Sequence, residues 1–277
     1  MQLEASVNAV AAALRRADAL VISTGAGMGV DSGLPDFRGD HGFWNAYPMY
    51  ERLGLSFVDA ANPEHFEGDP AFGWGFYGHR LGLYRATVPH RGYALLQGWV
   101  ERLRLPWFAV TSNVDGQFQK AGFDPERVLE VHGSIHHLQC TTPCCDEIRE
   151  NREEIPVDLE TMRAEVVPSC PHCPRVARPN ILMFGDWAWL RHRTAEQEGR
   201  FESFCREHAG GRLVVLEMGA GTAVPTIRYL SERLGSTPGA VVARINPREA
   251  DIRPPHLGIP CGALAGLEAI DAALARG

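Results

Sequence analysis

The sequence predicts an α/β protein: a Rossmann-like, doubly wound parallel sheet carrying a smaller zinc-binding domain and a helical insertion. Three observations predict it. Short apolar runs at 19–22, 106–111, 213–218 and 240–246 recur between stretches of helical periodicity. Continuous rather than alternating apolar runs suit strands covered on both faces, as parallel sheets are. Five of the seven cysteines fall between Cys140 and Cys173, in a polar stretch unlike the rest of the chain.

Each element follows from local pattern. Leu3, Val7, Val10, Ala11 and Leu14 have helical spacing and lead into Ala19-Leu20-Val21-Ile22, the first strand. Gly25-Ala26-Gly27 comes directly after it, where nucleotide folds bring bare backbone up to a phosphate. From Asp40 to about His90 the chain is rich in aromatics and glycine, which predicts short helices and loops inserted into the sheet fold. A helix over about 92–102 precedes the second strand, Pro106–Thr111. Val128–Val131 reads as a further short strand, and Ile181–Phe184 returns to strand character after the cysteines. Leu213–Met218, a helix over 224–234, the strand 240–246 and a last helix over about 264–275 complete the alternation. The expected division is 1–39, 91–134 and 179–277 for the Rossmann-like domain, 40–90 for the insertion and 135–178 for the zinc module.

Composition excludes several classes. The chain is 45% hydrophobic and 22% charged, an ordinary globular balance, and 277 residues suffice for a substantial core. A formal net charge of −7 offers no basic field for nucleic acid. No apolar run approaches the ~18 residues of a membrane span, and the N-terminal residues lack the basic start of a signal peptide. A cytoplasmic protein with no membrane or nucleic-acid partner is expected. Lys120 is the only lysine, so a Gly-Lys-Ser/Thr phosphate loop is excluded.

The strand ends carry the chemistry. Val30 stands where a G-x-G-x-x-G loop needs its third glycine. The acid that grips a ribose about 20 residues on is also missing, since Asp40 falls in a loop region. Both absences argue against hydride transfer. Thr111-Ser112-Asn113-Val114-Asp115 ends the second strand, where Asn113 and Asp115 can hold a ribose or a water by hydrogen bonds. The same fragment also suits an Asx turn capping the next helix. His132 closes the 128–131 strand and can serve as a general base. Cys140 and Cys144 with Cys170 and Cys173 form two close pairs across a polar spacer, the pattern of a closed four-thiolate zinc site. Cys145 competes with Cys144 for the second ligand position, and the spacing favours Cys144. Cys205 and Cys261 stand apart and read as small buried hydrophobes.

Together these motifs resemble the sirtuins, the NAD-dependent protein-lysine deacylases, from about Ala19 to Asn246. Gly25-Ala26-Gly27 through Pro35-Asp36-Phe37-Arg38 is similar to the family's first signature. Thr111–Asp115 resembles its Thr-Gln-Asn-Ile-Asp, His132-Gly133 its catalytic His-Gly, and Arg178–Asp186 its Arg-Pro…Phe-Gly-Glu substrate strand. Ser112, Phe118, Gly29 and Asp186 depart from the family's usual Gln, His, Ser and Glu. The resemblance implies a site in which acyl-lysine oxygen attacks the ribose carbon as nicotinamide leaves. His132 would then deprotonate a ribose hydroxyl, with Asn113 and Asp115 orienting ribose and water. It implies a cofactor set of Gly25, Ala26, Gly27, Asp36, Phe37, Arg38, Ser112, Asn113, Asp115 and His132, with Gly219, Gly221, Thr222, Asn246 and Cys261 toward the adenosine half. Phe37 would shield the reactive ribose from water.

The implied partners are acylated proteins or peptides, adding as a strand beside Ile181, Met183, Phe184 and Gly185. Tyr77 and Arg80 resemble the Tyr-x-x-Arg pair of family members that act on succinyl- and malonyl-lysine. Three residues apart they share a helix face, although an amphipathic surface helix fits the same spacing. Deacylation to nicotinamide and O-acyl-ADP-ribose is the expected reaction. ADP-ribosyl transfer, NAD hydrolysis and a non-catalytic NAD sensor are the alternatives.

Overall fold

The four apolar runs become strands of one sheet in the computed structural model, which describes residues 2–35 and 39–276. Helix α1 (Gln2–Arg16) leads into strand β1 (Ala19–Thr24). Short helices follow: α2 (Gly27–Val30), α3 (Gly39–Ala46), α4 (Pro48–Arg52), α5 (Phe57–Ala60) and α6 (His65–Gly68). Longer helices α7 (Pro70–Ala86) and α8 (Arg91–Arg102) precede β2 (Trp107–Thr111), the single turn α9 (Gln117–Lys120) and β3 (Val128–Glu130). Next come β4 (Gly133–Cys140), β5 (Arg149–Glu150), β6 (Val157–Asp158), β7 (Arg163–Ala164) and β8 (Ala177–Ile181). The chain closes with α10 (His192–Glu207), β9 (Leu213–Met218), α11 (Thr226–Gly235), β10 (Val241–Ile245), β11 (Leu257–Ile259) and α12 (Ala263–Ala275).

The main sheet has the order β11-β10-β9-β1-β2-β3, all parallel. Counting only its own strands along the chain, this is the doubly wound order 3-2-1-4-5-6. The order reverses between β1 and β9, which opens a crevice at their carboxyl ends. Alternate residues of β1 serve opposite faces. Leu20 and Ile22 pack with Leu14, Trp99 and Leu267 under α1, α8 and α12. Val21 packs with Val110, Val215, Phe201 and Ile227 under α10 and α11. A fully buried Leu or Ile contributes about 1.5–3 kcal/mol through lost water contact.

A second sheet, β5-β4-β8, is antiparallel, and β6 and β7 pair separately. The predicted strand at 181–184 is displaced: β8 ends at Ile181, residues 182–183 are irregular and a turn follows at 184–185. The reason is Asp186, which accepts from Arg178 Nη1 and Nη2 at 2.8 Å with both side chains fully buried. Its carboxylate also accepts from Met183 N at 3.4 Å and Ala188 N at 3.1 Å, bending the chain back. Asp40, expected in a loop, lies in α3.

The insertion does contain short helices, but it ends in the 17-residue α7. Asp69 caps α7 by accepting from Phe72 N at 3.3 Å, and Pro70 opens its first turn. Trp74, Phe76, Tyr77, Leu81 and Tyr84 are buried along it, so it is a central rod rather than a surface helix. Gly75 lets this rod meet the β6–β7 hairpin: a Cβ there would lie 1.7 Å from the Met162 carbonyl oxygen.

Two changes on α7 separate these effects. Gly75→Ala should destabilise the fold by about 1–3 kcal/mol through overpacking. Gly82→Ala faces open space within the same helix and should stabilise by about 0.5–1 kcal/mol. Urea unfolding of both variants checks the pair, and equal effects would contradict this packing.

Candidate active site

A cavity of about 310 Å³ occupies the crevice at the switch point. Its floor is the turn after β1 (Gly25, Ala26) and the turn after β9 (Gly219, Ala220, Gly221). These five residues carry no side chain larger than a methyl group. Gly219 holds φ +63°, and a Cβ on it would lie 2.4 Å from Gly27 C. Gly27 N donates to Gly219 O at 3.0 Å, and Gly25 N to Met218 O at 3.0 Å, so the two turns are sewn together. This bare, concave backbone fits an extended phosphate-bearing cofactor such as NAD.

The turn after β2 forms one wall with Ser112, Asn113 and Asp115. Asn113 Nδ2 donates to Gly25 O at 3.1 Å, and its backbone N donates to Thr111 Oγ1 at 3.0 Å. Asp115 is buried; its Oδ1 accepts from Gln117 N at 3.0 Å and its carbonyl accepts from His136 Nε2 at 2.9 Å. Burial raises its carboxyl pKa to about 6, and the charge of Glu130 adds to the rise. His132 lines the cavity between β3 and β4, its carbonyl accepting from Leu182 N at 2.9 Å. Burial lowers the imidazole pKa, which keeps the ring neutral and able to take a proton. Thr226 Oγ1 lies 3.4 Å from His132 Nε2.

Tyr77 and Arg80 of α7 line the opposite wall with Tyr84. Arg80 Nε and Nη2 donate to Tyr84 Oη at 2.9 and 2.6 Å. Its guanidinium also lies 5.0, 5.8 and 5.3 Å from the ring centres of Phe76, Tyr77 and Tyr84. Burial raises the Tyr77 hydroxyl pKa to about 12, which keeps it a neutral donor. Arg80 is only 7% exposed, so the surface-helix alternative does not hold.

Ile181, Met183 and Phe184 complete the mouth with Leu182 and Val224. Gly27, Gly185, Thr222, Asn246 and Cys261 do not line the cavity. Asn246 is fully buried and donates from Nδ2 to Ala220 O at 2.8 Å, supporting the floor from beneath. Thr222 Oγ1 donates to Glu249 Oε1 at 2.7 Å. Cys261 packs against the core under α12. Asp36, Phe37 and Arg38 lie outside the described residues. Tyr84 and Thr226 escaped sequence reasoning. Tyr84 was legible in principle, because 77, 80 and 84 share one helix face, whereas Thr226 carries no motif.

Cys140, Cys144, Cys170 and Cys173 bring their sulfurs within 4.8 Å of one another. The Cys140–Cys173 and Cys144–Cys170 sulfur distances are 3.7 and 3.6 Å. A tetrahedron with Zn–S of about 2.3 Å has edges of about 3.8 Å, so the quartet fits a closed structural zinc. It includes Cys144 and leaves Cys145 out.

A model of the Sir2 family matches residues 25–200. The chain is 29% identical over 85% of its length to the NAD-dependent protein deacylase of Thermococcus sibiricus, covering 83% of that protein. It is 30% identical to that of Pyrococcus abyssi over 88% of each chain. With the Aeropyrum pernix NAD-dependent protein deacylase it shares 36% identity over 60% of this chain and 59% of that one. A Sir2 homologue solved with NAD superposes at TM-score 0.70, with 23% identity over 97% of this chain and 93% of that chain. An ADP-ribose complex of a Sir2 homologue reaches TM-score 0.72 at 23% identity, covering 97% of this chain and 96% of that one. At such identity the structures establish the fold.

The raised Asp115 pKa has a consequence for stability. An unfolded aspartate titrates near 4, so between about pH 4 and 6 the folded chain binds more protons than the unfolded one. Stability therefore falls as pH rises through that window, by about 3 kcal/mol. Asp115→Asn keeps the acceptor for Gln117 N and should unfold at a higher temperature than the parent at pH 7.5, with the advantage gone at pH 4. Thermal melts of both proteins at the two pH values check this.

Proposed function

Because this chain belongs to the Sir2 family, we propose that it removes acyl groups from protein lysine side chains in an NAD-dependent reaction. The observation that carries the reading is the convergence of His132, Asn113 and Asp115 on a cavity floored by bare glycine turns. NAD, when bound, supplies a ribose carbon activated by its nicotinamide leaving group. The chain's own residues do the rest. The turns at 25–26 and 219–221 hold the cofactor's phosphates and adenosine half. Asn113 and Asp115 orient the nicotinamide ribose and a water. Neutral His132 accepts the proton of a ribose hydroxyl, and its burial keeps the ring in the unprotonated form that a base requires.

The acyl-lysine enters between α7 and the 181–185 segment. Leu182, Met183 and Phe184 flank the opening, and the peptide main chain pairs alongside them. The acyl chain then points toward Tyr77 and Arg80. A permanent cation and a neutral phenol in an apolar cavity favour an acyl group ending in a carboxylate. Succinyl- or malonyl-lysine is therefore the proposed preferred substrate, over acetyl-lysine.

Mass spectrometry of acylated peptides incubated with NAD tests both levels. Free lysine with O-acyl-ADP-ribose supports deacylation; ADP-ribosylated protein, free ADP-ribose alone or no turnover contradicts it. His132→Ala should lower kcat by about 10²–10⁴-fold, the share of a general base. Arg80→Met should lower kcat/KM for succinyl peptide by about 10–100-fold, as loss of a charged hydrogen bond does. Acetyl peptide should change far less, and equal losses on both peptides would reject the acyl-pocket role.

A further inference from the structure

The two loops that carry the cysteine quartet also carry a second set of donors. Cys145 follows Cys144, and His172 sits between Cys170 and Cys173. The Cys145 sulfur, a His172 ring nitrogen and a Glu147 carboxylate oxygen all lie within 4.8 Å of one another. His172 Nε2 and Glu147 Oε2 are 2.7 Å apart. Cys145 Sγ lies 3.9 Å from Cys144 Sγ, so the set borders the quartet without sharing an atom with it. Cys145 is half-buried, and the other two are exposed.

We infer that Cys145, Glu147 and His172 form a second zinc-binding site, open to solvent, beside the structural quartet. An exposed His–Glu pair alone contributes little to stability, and it gives no reason for a thiol to converge on it. One thiolate, one imidazole and one carboxylate are the donors that zinc takes, while magnesium and calcium prefer oxygen alone. Three protein ligands leave a fourth position for water, as in open zinc sites. Thiolate and carboxylate together balance the charge of the ion. On binding, the Cys145 thiol releases its proton to solvent, and a Zn–S bond replaces the S–H bond. Arg149 borders the same crevice, but its guanidinium is drawn off toward Glu153 Oε1 at 3.5 Å and Ser169 O at 3.2 Å.

Binding here ties the 144–147 loop to the 170–173 turn, the same two segments that the quartet joins. Its occupancy therefore adds stability that follows the free zinc concentration, whereas the quartet stays filled. Fewer protein ligands and greater exposure make the second ion the easier one to remove.

Native mass spectrometry of the full chain in excess zinc, followed by titration with a mild chelator, tests the site. The parent should hold two zinc ions and lose one of them first. Cys145→Ser and His172→Ala should each hold one. Glu147→Gln should bind the second ion about tenfold more weakly, having lost an anionic ligand. Cobalt substitution gives an independent readout: the last ion bound should add absorption with weaker sulfur charge-transfer than the first, and His172→Ala should abolish that step. One ion in the parent under excess zinc overturns the proposal, as does a second ion that persists in both Cys145→Ser and His172→Ala. His172→Ala is an exposed change, so the test stands even if Cys145→Ser fails to fold.

Discussion

The site depends on one backbone contact, where the turn after β1 meets the turn after β9. Parallel strands lie side by side, and the reversal of order at this point sends their following helices to opposite faces. The two turns would part without a reason to stay together. Gly27 N to Gly219 O and Gly25 N to Met218 O supply that reason, and Gly219 N donates onward to Ile245 O at 3.0 Å. The approach is so close that a Cβ on Gly25 would sit 2.8 Å from Ala220 Cα. The glycines that floor the cavity are thus the same glycines that close the sheet ends together.

Around that floor burial strips water from polar groups and sets their protonation. Burial holds Asp115 toward its neutral form and His132 in its neutral form. Arg80 keeps its charge because three rings and a phenol oxygen replace its lost water. Each state opposes folding or gives it little. A neutral imidazole can accept a proton, a carboxyl titrating near 6 can change charge near neutral pH, and a buried guanidinium lines the same cavity. Clustered perturbations of this kind, in a cleft, mark a candidate functional site.

Much of this was legible in the sequence because it rests on local pattern. The four apolar runs, the glycine turn after β1, Asn113, Asp115 and His132 at strand ends, and the paired cysteines all declare themselves within a few residues. What was not legible depends on distant partners. Residues 181–184 look like a strand, yet buried Asp186 bends the chain back there through Arg178. The length of α7 follows from its cap at Asp69, which an aromatic-rich, glycine-rich composition concealed. Asn246 and Thr222 carry motif identity, but their side chains brace the floor and Glu249 rather than face the cavity. Tyr84 had the right spacing and no motif to draw attention to it.

The cysteine module lies outside the cavity, yet it is joined to the cavity by rigid elements. β4 begins at Gly133, next to His132, and ends at Cys140. β8 begins at Ala177, shortly after Cys173, and ends at Ile181 in the cavity wall. The two strands pair along this path, from Cys140↔Ala177 at the zinc end to Gly133↔Ile181 at the site. Leu182 N then donates to His132 O, closing the ladder on the proposed base. A zinc ion that holds Cys140 and Cys173 together therefore fixes one end of a paired ribbon whose other end sets the position of His132. An ion with no open coordination position can matter to the reaction in this way, through the rigidity of the strands that it clamps.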